Sequence, residues 1–170
     1  RGEEEIASLD KNGKITHLRI SGKGKGSEIA STVALEIDGK TYACLRDLQG
    51  SVATLLDKDT GDVLEHYRYS AFGEESIFNA SGEQIDHSSL SNPWRFCSKH
   101  TDDETGFVNF GRRYYLPNAG RWLSPDPAGF IDGANLYAYI HNNPLIYYDL
   151  YGLSTEDYTC IDRALDSMDF

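Results

Sequence analysis

The sequence predicts a mainly β fold of short antiparallel hairpins, and three observations carry that expectation. Apolar and polar residues alternate in short runs, as in Val63-Leu64-Glu65-His66-Tyr67-Arg68-Tyr69. A glycine turn closes most runs, with Asn12-Gly13, Asp38-Gly39 and Asp57-Lys58-Asp59-Thr60-Gly61 as examples. The strand-and-turn unit recurs at roughly a dozen residues, the spacing of hairpins that stack because none can bury its apolar face alone.

The elements follow in order. Ile15 to Ile20 alternates as a strand after the Asp10–Lys14 turn. Ser21 to Ser27 is a glycine-rich loop, and it lacks the Lys-Ser/Thr and preceding apolar strand of a phosphate-cradling loop. Ile29 to Ile37, Tyr42 to Leu45, Ser51 to Leu56 and Val63 to Tyr69 are further strands, so residues 1–73 form one hairpin array. Residues 74–92, rich in Ser, Asn and Gly, predict a long surface loop with at most a short strand at Ile77-Phe78. Order resumes at Pro93-Trp94-Arg95-Phe96.

Residues 110–153 hold seven of the eleven tyrosines and four of the five prolines. Short aromatic runs between proline turns leave no room there for an ordinary helix. The tyrosines are expected to pack in ladders along the sheet, with an aromatic carbohydrate-binding strip as the functional rival. In residues 154–170, Cys160, Ile161, Ala164, Leu165 and Met168 fall at helical spacing, so a short C-terminal helix is the most that segment allows.

Composition narrows the function. The net charge is −11, which argues against a direct nucleic-acid partner. No apolar run is long enough to span a membrane. The cysteines Cys44, Cys97 and Cys160 show no paired spacing, and the five histidines are dispersed, so neither a disulfide framework nor a metal or other cofactor is expected. The chain opens on Arg1 and its one methionine is Met168, so a piece of a longer polypeptide is expected.

The stretch Arg113-Tyr114-Tyr115-Leu116-Pro117-Asn118-Ala119-Gly120-Arg121-Trp122-Leu123-Ser124-Pro125-Asp126-Pro127-Ala128-Gly129 resembles the Rhs repeat-associated core. So does Gly133-Ala134-Asn135-Leu136-Tyr137-Ala138-Tyr139-Ile140-His141-Asn142-Asn143-Pro144. The upstream Tyr42 to Gly73 block is similar to the tyrosine–aspartate (YD) repeats that precede that core. The resemblance implies a spiral β-shell closed by a core plug at residues 93–153, with residues 154–170 opening a variable toxin region or its remnant. It implies an exported bacterial effector, whose partners are the rest of its shell, the enclosed C-terminal toxin, and secretion-apparatus or toxin-complex proteins.

The family's pattern for self-cutting is two Asp-Pro-x-Gly-Leu blocks eighteen residues apart, with cleavage after the second Leu. Here Asp126-Pro127-Ala128-Gly129-Phe130 and Asp149-Leu150-Tyr151-Gly152-Leu153 stand in those places, with residues 131–148 between them. Phe130 replaces Leu, and Leu150 replaces Pro beside the second aspartate. The resemblance therefore implies intramolecular aspartic-type cleavage of the Leu153–Ser154 bond, with no turnover enzyme. Two close carboxylates can share a proton, one serving as base and the other as acid. Arg121 is the expected neighbour that orients a carboxylate or meets the developing oxyanion, with Arg113 second. Asp132 is expected to make a turn with Gly133. The residue chemistry alone also fits two turn-forming aspartates in a non-cleaving structural or adhesive module.

Overall fold

In a computed structural model, residues 5–22, 32–153 and 155–157 are described. Ser154 and the expected C-terminal helix lie outside the described residues, as do Cys160 and most of the glycine-rich loop.

The architecture is antiparallel β throughout. Eight strands form the first sheet: β1 (Ala7–Leu9), β2 (Ile15–Ser21), β3 (Thr32–Ile37), β4 (Lys40–Arg46), β5 (Val52–Asp57), β6 (Val63–Tyr69), β7 (Glu75–Asn79) and β8 (Gln84–Ile85). Their spatial order is their chain order, so every connection joins neighbours. Alternation puts Leu35 and Ile37 of β3 on the covered side, a bulge after Val52 lets it join Leu55 of β5 there, and with Tyr67 of β6 they gather around Trp94. Register shifts interrupt the β1–β2, β2–β3, β4–β5 and β5–β6 ladders, and such bulges increase local twist.

The turns share one device. Asp10, Asp47, Asp57 and Asp102 each fold a carboxylate oxygen back onto backbone N–H groups two to four residues ahead. A glycine then closes the turn with φ near +75°, as at Gly50 (77°), Gly61 (76°) and Gly106 (72°), where a Cβ would be strained.

The segment 74–92 departs from the loop expectation. It carries β7 and β8, and its serines serve a buried carboxylate. Glu65 is fully buried in β6 and accepts from Ser88 Oγ (2.8 Å), Ser89 Oγ (2.6 Å), the Leu90 N–H (3.1 Å) and the Tyr67 hydroxyl. A polar composition reads as solvent-facing, but here the hydroxyls satisfy a charge that burial would otherwise penalise heavily.

Beyond Trp94 the chain crosses the end of the first sheet. Ser98 Oγ donates to the Gly50 carbonyl and Arg19 Nη1 to the Ser98 carbonyl. Buried Arg95 pairs with Glu75 at 2.9 Å and Asp103 at 2.6 Å. A second sheet follows, with β9 (His100–Thr101), β10 (Val108–Asn109), β11 (Tyr114–Leu116) and β12 (Arg121–Trp122) side by side in that order. A third pairs β13 (Tyr147–Tyr148) with β14 (Glu156–Asp157).

Phe110, Tyr115, Trp122 and Tyr139 close the second core, mostly edge to face, with Tyr115 and Tyr139 centroids 4.2 Å apart. This corrects the expectation of tyrosine ladders for this region. β11 has only three residues, so its one inward tyrosine, Tyr115, meets rings delivered by loops, while Tyr114 faces out. Cys44 and Cys97 are free thiols, and burial pushes each up to about 12, so both stay protonated.

Candidate functional site

Arg113 is the centre of the candidate site. It sits just before β11, on the same face as Tyr115, so strand alternation carries it inward. Its side chain is 3% exposed, and each guanidinium nitrogen has a different acceptor. Nε donates to the Gly152 carbonyl at 2.6 Å, Nη1 meets Asp126 Oδ2 at 2.8 Å, and Nη2 meets Asp149 Oδ2 at 3.4 Å. Its flat face lies over the Trp122 ring, 4.2 Å from the centroid. A planar, permanently charged fork satisfies three acceptors and one ring at once, which a lysine ammonium cannot.

The two aspartates are therefore brought to one cation, although they are far apart in the chain. Each divides its oxygens. Asp126 Oδ1 accepts from the Ala128 N–H at 2.7 Å, and Asp149 Oδ1 accepts from the N–H groups of Tyr151, Gly152 and Leu153 at 3.0, 2.7 and 3.1 Å. That is the device of the surface turns. What differs is the second oxygen, which faces Arg113, and the burial: the two side chains are 6% and 2% exposed. Burial pushes the Asp149 carboxyl above the usual range; the three N–H groups and Arg113 pull the other way without cancelling it.

Leu150 replaces Pro, yet the turn after Asp149 still converges three N–H groups on one oxygen. Gly152 is essential to that closure. Its φ is +72°, and an added Cβ would lie 3.1 Å from the Arg113 backbone nitrogen. The backbone up to Leu153 is thus held by Asp149 from its N–H side and by Arg113 at the Gly152 carbonyl.

Arg121 is not brought to this site, which corrects the sequence expectation. It is exposed and stacks on Tyr137, 4.6 Å from the ring centroid. Trp122, as the large apolar neighbour, takes the inward position of β12 and turns Arg121 outward. That signal was available in the sequence, since adjacent strand residues face opposite sides. Asp132 makes the expected turn with Gly133, ending the 3-10 turn Phe130–Asp132, and its Oδ2 also accepts from the Thr155 N–H at 2.8 Å, twenty-three residues away. A cavity of about 10 Å³ is lined by Arg113, Trp122, Asp126, Asp132 and Thr155, roughly the room one water needs. Among the described residues, no three His, Cys, Asp or Glu side chains gather as a metal site.

The sequence matches the Teneurin YD-shell family over residues 30–157, well over half of the chain. The chain belongs to the Teneurin YD-shell family. Among curated relatives of this YD-shell segment, toxin subunit YenC1 of Yersinia entomophaga is 37% identical over 95 residues, covering 56% of this chain and 9% of the relative. Toxin subunit YenC2 of the same organism is 49% identical over 75 residues, covering 44% and 8%. Among solved structures, the TcdB2-TccC3-Cdc42 crystal structure superposes with a TM-score of 0.56 at 30% identity, covering 85% of this chain and 6% of that one. The segment therefore spans less than a tenth of the length of these relatives. Its antiparallel hairpin array is the architecture of such toxin-complex shells.

Proposed function

We propose that this YD-shell segment helps close a toxin-enclosing β-shell and cuts its own chain once, after Leu153. The observation that carries the reading is Arg113, which ties Asp126, Asp149 and the Gly152 carbonyl together one residue before the junction. In this reading the remainder of the shell and an enclosed C-terminal segment are the partners, and the whole protein is an exported toxin.

The chemistry follows from the environments. Asp149 is assigned the acid, since of the pair it is the more deeply enclosed, and burial pushes its carboxyl above the usual range. Asp126, on the cavity, is the base. Water there gives a proton to Asp126 as its oxygen bonds to the Leu153 carbonyl carbon. The bond to Ser154 then breaks, and the departing nitrogen takes the Asp149 proton. The products are a carboxyl group on Leu153 and an amine on Ser154. Arg113 orients both carboxylates and, through Gly152, the backbone leading to the bond; tethering supplies the proximity.

Intact mass of the purified chain tests this. The expected result is a fragment ending at Leu153 plus a small peptide, with Asp126→Asn and Asp149→Asn each staying at full length. One full-length species from the unaltered chain, or cutting that survives both changes, overturns the cutting. The first result favours a non-cleaving shell segment, a reading to which the turn-capping oxygens of both aspartates already lend support.

A further inference from the structure

We propose that Asp132 latches the chain just past the junction, so that cutting and release are separate steps. The inference rests on the cutting reading and goes beyond it. Asp132 ends a short 3-10 turn, Phe130–Asp132, set between Gly129 (φ 75°) and Gly133 (φ 121°). Those two glycines let the backbone reverse on both sides, and the carboxylate reaches across to the Thr155 N–H at 2.8 Å. The chain then pairs as β14 on β13, with Tyr147 opposite Asp157 and Tyr148 opposite Glu156.

The contacts on either side of the junction are thus made by different side chains. Asp149 and Arg113 hold residues 151–153, while Asp132 and β13 hold residues 155–157. Breaking the bond between Leu153 and Ser154 removes neither set. It adds an ammonium at Ser154, one residue from the Asp132 contact, and nearby carboxylates attract that charge. A ladder of two residue pairs is marginal by itself. The charge-assisted bond from Thr155 to Asp132 is therefore the contact that decides how long the new N-terminus stays.

The test compares the full chain with Asp132→Ala, which removes the acceptor, and Asp132→Asn, which keeps an oxygen there. Two readouts are followed: co-elution of the C-terminal fragment with the body after cutting, and amide hydrogen exchange across residues 155–157 in uncut protein. Losing a hydrogen bond to a charged acceptor is expected to speed exchange and fragment loss about tenfold in Asp132→Ala, with Asp132→Asn, which keeps an acceptor but not the charge, restoring part of the exchange protection and less of the fragment retention. A merely structural role predicts no such rescue and a lowered melting temperature in both variants. Unchanged exchange at 155–157 in Asp132→Ala overturns the latch. Failure of the unaltered chain to cut overturns the cutting reading instead, and the exchange measurement still decides the latch.

Discussion

Arg113→Met removes the cation and keeps most of the length that lies over Trp122. It leaves Asp126 and Asp149 without their shared counter-charge, with side chains 6% and 2% exposed. Breaking a buried ion pair by removing one partner costs about 3–5 kcal/mol. The Asp149 contact is long at 3.4 Å, so the site counts as about one strong pair rather than two. In a domain of this size each kcal/mol lowers the melting temperature by about 2–4 °C, so the variant should melt roughly 6–20 °C lower at pH 7. Thermal melts followed by circular dichroism measure this at pH 7 and pH 4.5. The gap should narrow at the lower pH, because a protonated carboxyl no longer needs the cation. Adding Asp126→Asn to Arg113→Met should recover part of the loss, the coupling expected of residues in contact. A drop under about 2 °C at pH 7, or a gap equal at both pH values, would refute the claim that Arg113 is the electrostatic keystone.

Three more outcomes are expected. Gly152→Ala forces a side chain into φ +72° with its Cβ 3.1 Å from the Arg113 nitrogen, and should cost about 1–2 kcal/mol in chemical denaturation and slow any cut. Arg121→Ala loses only an exposed stack on Tyr137 and should change stability by about 0.5–1 kcal/mol or less while leaving the fraction cut unchanged. Asp149 has its folded-state carboxyl raised by burial, so the folded state binds the proton more readily than the unfolded state. Its contribution to stability is present at low pH and lost as pH rises through the folded value. The unaltered chain should therefore gain on Asp149→Asn in melts taken downward from pH 7, and an opposite slope would reverse the assignment.

The strands were legible because period-two alternation and glycine turns are local. Leu35 and Ile37 of one strand face inward as their alternation requires, and Gly61 and Gly106 adopt the positive φ their turns require, whereas Val52 joins Leu55 on the inward face only through the bulge at the start of its strand. The polar stretch 74–92 misled because serine donors to a buried carboxylate look the same in sequence as serines facing water. Glu65, the group they serve, lies in a different strand. Arg113 and Arg121 had equal claims by type, and Trp122 held the clue that separates them.

By itself the sequence determined the hairpin grammar, the turn aspartates and the two blocks around Asp126 and Asp149, since all of these are written in neighbouring residues. It could not say which aspartates were more than turn formers, because Asp10, Asp57, Asp126 and Asp149 present one oxygen to the backbone in the same way. Only the tertiary structure decided where the other oxygen goes. Burial behind Trp122 turns two of those carboxylates onto one guanidinium, and only the folded chain brings Asp132 to Thr155.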